Sequence, residues 1–188
     1  MKSYPGLNAV MYHYILKNNR FNNFTLNSLN TNKFMDQLNS ISKKNKIISP
    51  EEFRFKLKKK YKFKNEFILT FDDGYKCNYE IVKKILDLKN IKGFFYPTCY
   101  PYKNNKLLDI NIIHLILSKE KNSEKLLNFI MDHLNTNQRK IFLKIDSIIK
   151  KIKKYKSYDD EKTKIIKKLL QSYLPEKIKS QILKLIIF

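Results

Sequence analysis

Apolar and polar positions alternate along this chain in two different ways. In the first half they form short, unbroken apolar runs set between polar turns. Ala9-Val10-Met11-Tyr12-His13-Tyr14-Ile15 is one such run, and Phe67-Ile68-Leu69-Thr70-Phe71 and Ile91-Lys92-Gly93-Phe94-Phe95-Tyr96 are two more. Runs of this length, rich in aromatic and β-branched residues, predict buried strands. Lys46-Ile47-Ile48-Ser49 predicts a brief fourth. Between them the period lengthens to that of a helix. Phe34, Met35, Leu38 and Ile41 predict a helix over Asn32 to Ser42, and Ile81, Val82, Ile85, Leu86 and Leu88 predict one over Tyr79 to Leu88. A helix starting at Pro50-Glu51-Glu52-Phe53 has proline in its first turn, acids at the positive end of the dipole, and Ser49 or its predecessor as cap.

From Asp109 onward the pattern is helical throughout. Ser123 to Leu134, Gln138 to Tyr155, Asp159 to Tyr173 and Pro175 to Ile187 each carry an apolar stripe. One stripe is Ile141, Ile145, Ile148 and Ile152; another is Ile166, Leu169, Leu170 and Tyr173. Asp159 or Asp160 predicts an N-cap, and Pro175 an N1 residue. All three glycines, Gly6, Gly74 and Gly93, precede this region. The closing segment Ile182 to Phe188 reads as exposed apolar surface.

Strand, loop, helix, strand around residues 67–96 is a βαβ unit, which predicts an α/β fold with Phe67–Phe71 and Gly93–Tyr96 as neighbouring parallel strands. In such units the loops at the carboxyl ends of the strands carry the chemistry. That places the focus on Thr70-Phe71-Asp72-Asp73-Gly74. Two adjacent carboxylates at a strand end repel unless a cation neutralises them. A divalent metal does so with one carboxylate as ligand, leaving the other as general base. Gly74 permits the sharp turn. The plainer alternative is a strand-to-helix connection with an aspartate as N-cap.

Composition adds bounds. A chain of 188 residues with 43% hydrophobic and 13% aromatic residues suits one ordinary domain and argues against wholesale disorder. The net charge of +22 arises from 39 Lys plus Arg against 17 Asp plus Glu. The only arginines are Arg20, Arg54 and Arg139, and the lysines come with abundant Asn and Ile. Nucleic-acid sites favour the bidentate guanidinium, so this excess reads as compositional drift, and no nucleic-acid partner is expected. Cys77 and Cys99 are too few for a disulfide framework and lack zinc-site spacing; both are expected as reduced, partly buried thiols. Met1 to Asn8 has no apolar core of a secretory signal, and no stretch approaches eighteen apolar residues, so a cytoplasmic protein with no membrane partner is expected.

Three pieces, in order, resemble the polysaccharide deacetylase family, also called the chitooligosaccharide deacetylase homology domain or carbohydrate esterase family four. Val10-Met11-Tyr12-His13 is similar to its opening strand, Phe67 to Gly74 to its first catalytic motif, and Ile91-Lys92-Gly93-Phe94-Phe95 to the next strand. The resemblance covers about residues 9–100. The segment from Leu107 through Leu117, with the helices after it, is similar to an insertion in a cytoplasmic branch of the family. The implied fold is a partial distorted (β/α) barrel over about 1–108, followed by a helical segment over about 109–188, within one domain.

The implied activity is metal-dependent hydrolysis of N-acetyl or other acyl groups on a carbohydrate. The resemblance makes Asp72 the general base and Asp73 a ligand of a divalent metal, usually zinc. The family completes its metal site with His-x-x-x-His. Here the histidines are His13, His114 and His133, with no such pair. The expectation is therefore a truncated domain or one half of a split gene, ending before the metal motif and needing a second polypeptide. His13 is expected to face the site from behind the metal ligands, His114 to be structural, and His133 to be solvent-exposed. The alternatives are a catalytically inactive remnant or interaction module, and a basic nucleic-acid binder. Zinc-dependent acetate release separates the first reading from these, and steeply salt-sensitive retention on DNA marks the last.

Overall fold

The structure is a computed structural model and describes residues 4–17, 28–140 and 159–187. They fall into two compact units, one of residues 4–17 and 28–103, the other of residues 104–140 and 159–187.

The first unit is built on a parallel sheet. Its central strand β5 (Glu66–Asp73) pairs in parallel with β1 (Leu7–Tyr12) along one edge. Short β4 (Lys46–Ile47) and then β6 (Phe94–Pro97) pair with it in parallel as well. The register Thr70↔Phe94 to Asp73↔Pro97 makes the strands around residues 67–71 and 93–96 parallel neighbours, as the βαβ pattern predicts. A mixed α/β arrangement with a parallel sheet is therefore established.

Alternation along β5 sends its residues to two faces. Leu69 and Phe71 join Tyr12, Phe34, Leu38, Val82 and Leu86 in one core. Ile68 turns the other way and packs with Ile48 and Phe63, against which Phe53, Leu57 and Phe94 lie. The first core is covered by α1 (Thr31–Lys44), which buries Phe34 and Leu38 and is capped by the Asn30 side chain. The second is covered by α2 (Pro50–Lys58), with Ser49 Oγ accepting from the Glu52 amide as its N-cap.

Three expectations change. The run Ala9–Ile15 is not one strand. β1 stops at Tyr12, and Ile15–Leu16 forms β2, paired with β3 (Leu29–Asn30) in a separate two-stranded sheet. Ile15 is fully buried, and the Leu29 amide donates to the Tyr14 carbonyl, so tertiary pairing outweighs the continuity of the apolar run. The helix expected from Tyr79 begins as a π-helical turn, Asn78–Lys83, before continuing as α3 (Lys84–Leu88). Cys77 is a half-buried free thiol as expected, but Cys99 is exposed.

The second unit is helical. After short α4 (Tyr100–Asn104) at the unit boundary come α5 (Asp109–Lys119), α6 (Ser123–Asp132), α7 (Glu161–Lys168) and α8 (Glu176–Ile187). A π-helical turn, Leu169–Tyr173, extends α7. Of the two aspartates read as caps Asp160 is the one, its Oδ1 accepting from the Thr163 amide, while α6 is capped by Asn122, whose Oδ1 accepts from the Lys125 amide. Pro175 stands just ahead of α8, its carbonyl accepting from Ile178. Among the described residues its buried core is aliphatic and includes Ile113, Ile130, Ile166 and Leu169, all fully buried. Ile182 and Leu183, expected on the exposed tail, are buried in it at 1% and 3% exposure; Leu185 remains exposed. The stripe Ile141 to Ile152 lies outside the described residues.

Candidate functional site

The carboxyl ends of the parallel strands bring the sequence candidates to one edge of the sheet. Asp72 and Asp73 close β5, opposite Tyr96 and Pro97 of β6. On the other side Tyr12 pairs with Phe71, so His13 follows Tyr12 where Asp72 follows Phe71. All three are half-buried. His114 lies elsewhere, half-buried within α5. His133 ends α6, exposed, with Nδ1 2.8 Å from the Phe129 carbonyl oxygen.

The turn after β5 is unusual in its backbone. Asp73 and Gly74 both have φ of +69°. Glycine suits that region at little cost, whereas an aspartate there needs local support. Glycine is also required for space: a Cβ on Gly74 would stand 2.8 Å from Pro97 Cβ and 2.9 Å from its Cα. The two strand ends are thus pressed together at the site.

The aspartates are held by different means. The Tyr75 hydroxyl donates to Asp73 Oδ2 at 2.7 Å, and the Tyr14 hydroxyl donates to that of Tyr75, also at 2.7 Å. The two rings stack with centroids 4.3 Å apart. Asp72 is gripped by its backbone, where Asn78 Nδ2 donates to its carbonyl oxygen at 3.1 Å. Asn78 is only 2% exposed, so the bond also satisfies a buried amide. The bond of Asp73 to a phenol differs from the N-cap arrangement, in which a carboxylate accepts from helix amides. The helix here starts at Lys76, and its π-helical turn from Asn78 has no side-chain cap.

Burial, followed by the hydrogen bonds with Tyr14 and Asp73, pushes the Tyr75 phenol far above its ordinary value. It therefore stays a donor at any physiological pH. Burial likewise pushes the Cys77 thiol up, keeping it protonated and a poor nucleophile. Tyr75 lines two clefts. One, of about 560 Å³, includes Tyr14, Lys76 and Cys77, and the other, of about 440 Å³, includes Gly74, Asn78, Phe95 and Pro97.

The donor set does not fit a catalytic zinc centre. Such centres keep three protein ligands, and among the described residues no group of three His, Cys, Asp or Glu side chains could hold a metal ion. One oxygen of Asp73 is also engaged by Tyr75. Sequence reasoning missed Tyr14, Tyr75 and Asn78. Tyr75 beside the Asp-Asp-Gly turn was the available signal; Tyr14 gave none, lying 61 residues away.

No family model matches the sequence, and no curated protein matches it. Among solved structures the chain is similar to one described as a de-N-acetylase from Aggregatibacter actinomycetemcomitans, at 18% identity and a TM-score of 0.45. The match covers 54% of this chain and 42% of that one, so this chain spans less than half of that structure's length. Among the described residues no helix is long and apolar enough to cross a membrane.

Proposed function

We propose that this chain carries the general base of an acyl-hydrolase site that acts on N-acylated sugars. The observation supporting this reading is the division between the two carboxylates. Asp73 is committed through its side chain, whereas Asp72 is held through its backbone with its carboxylate half-buried at the sheet edge. A positioned carboxylate of that kind is suited to general-base work.

Water adds to the acyl carbon and gives its proton to Asp72. The carbon–nitrogen bond then breaks, the proton passes from Asp72 to the departing amine, and the acid is released. These proton transfers are carried by water and this chain's own Asp72, and among the described residues no three-donor group could hold a metal ion. The zinc that the resemblance implies would take its further ligands from a second polypeptide bearing His-x-x-x-His. His13, next to Tyr14 in the loop after β1, is the residue we assign to support the site.

Acetate release from an N-acetylated oligosaccharide tests this reading. The 188-residue chain with zinc should release none alone. With a polypeptide bearing the histidine pair it should release acetate, and Asp72→Ala should abolish that release. Release that ignores Asp72 would overturn the assignment of the base. Release by the chain alone would overturn the need for a partner. The lack of a three-donor group among the described residues favours a second reading, a catalytically inactive interaction module. Silence of the complemented mixture would decide for it.

A further inference from the structure

Asp73 is a non-glycine residue at φ +69°, and Gly74 follows at the same value. Such backbone is costly for a residue with a side chain and persists only where the surroundings over-determine it. Three contacts converge here. Gly74 lies against Pro97, Asn78 holds the Asp72 carbonyl, and Tyr75 donates to the Asp73 carboxylate. Only the last reaches a carboxylate. It is itself backed by Tyr14, which donates to the Tyr75 hydroxyl and stacks on its ring at 26°. Tyr14 belongs to the loop after β1, so one pair of phenols joins the two strand ends that carry His13 and the aspartates.

We propose that Tyr75 and Tyr14 are positioning residues, a two-tyrosine clamp that fixes Asp73 by one oxygen, stabilises its left-handed turn and thereby aims Asp72. The consequence for rate rests on the reading of Asp72 as base; the clamp itself does not. A base displaced by a fraction of an ångström loses rate steeply, because orientation supplies much of the acceleration. Losing the clamp therefore lowers kcat and leaves KM, which reports sugar binding, nearly unchanged.

The test uses the whole chain at one fixed pH, with Tyr75→Phe, Tyr14→Phe and, as control, Tyr102→Phe, a ring 81% exposed. By NMR the wild type should show a slowly exchanging Tyr75 hydroxyl proton. Tyr75→Phe should erase it and move the Asp73 side-chain carbonyl signal, and Tyr14→Phe should shift both. Tyr102→Phe should move neither. In the complemented acetate assay Tyr75→Phe should lower kcat about tenfold with KM little changed. A purely structural role would lower stability alone, so an unmoved Asp73 signal, or an unmoved kcat, overturns the clamp. If the wild type releases no acetate, the functional reading fails and the Asp73 signal still decides the clamp. Should Tyr75→Phe not fold, Tyr14→Phe, which removes only the outer donor, carries the same test.

Discussion

The two units of this chain bury comparable side chains by different logics. In the sheet unit aromatic rings share the core with aliphatic side chains: Tyr12 and Phe71 stack at 5.4 Å, Phe34 meets both edge-on, and the exposed ring of Phe95 stacks on Phe71 at 4.8 Å. Among the described residues of the helical unit every buried core side chain is Ile or Leu. Aromatic rings have preferred mutual geometries, so they fix a sheet and its strand ends closely. Aliphatic cores tolerate repacking at conserved volume. Four of the five non-glycine residues with positive φ among the described residues, Lys60, Asn65, Asp73 and Asn90, also lie in the sheet unit. Positive-φ backbone gathers in the sheet unit, and the candidate chemistry lies there too.

The largest test of this contrast is in the cores. Phe71→Ala should destabilise the sheet unit by about 3–5 kcal/mol. The gentler pair is more telling. Phe71→Leu should cost about 1–3 kcal/mol because it removes three ring contacts, whereas Ile130→Leu should stay under about 1.5 kcal/mol. Urea unfolding followed by residue-resolved amide exchange reads both. Equal costs for the two Leu substitutions would erase the distinction between the cores.

Gly74→Ala should come next, at about 2–3 kcal/mol, since it adds strain at positive φ and a clash with the Pro97 backbone. Glu124→Ala, an exposed change in the helical unit, should stay within about 0.5 kcal/mol. A neutral Gly74→Ala would show that the turn relaxes freely.

Alkaline titration sharpens the comparison further. Burial pushes the Tyr12 phenol up to about 12. Its neutral form is the one that folding favours, so this stabilisation is complete below pH 10 and is lost as pH rises from about 10 to 12. The shift corresponds to about 2–3 kcal/mol. Tyr12→Phe should remove this part of the pH dependence, together with the hydroxyl's bond to Gln37. Identical stability curves for the two proteins between pH 10 and 12 would refute the assignment.

A smaller pH-dependent effect belongs to the helical unit. Burial alone would raise the Asp160 pKa, but hydrogen bonds from the Thr163 side chain and amide, and from Ser123, bring it below the ordinary value. That contribution is present above the unfolded aspartate range and disappears as pH falls through the lowered pKa. Asp160→Ala should cost about 1 kcal/mol near neutrality and progressively less as the medium is acidified below the ordinary aspartate range. A cost unchanged by acid would mean that the carboxylate charge is irrelevant to the cap.

What the sequence determined was local. The caps at Ser49 and Asp160, the stripe of α7 and the Asp-Asp-Gly turn all follow from residues within a turn of one another, where side chain and backbone meet whatever the rest of the chain does. The parallel neighbours β5 and β6 were legible for the same reason, because a short βαβ unit leaves few other pairings. The tertiary structure decided what depends on residues brought from afar. It broke the apolar run after Tyr12 by pairing Ile15–Leu16 with Leu29–Asn30, and it buried Ile182 and Leu183 in the aliphatic core. It also gave Asp73 a partner that is itself held by Tyr14, 61 residues from Tyr75. Hydrophobic spacing specifies that a side chain is buried but not which partner it meets. A phenol hydrogen bond depends on a few tenths of an ångström, which only the assembled sheet provides.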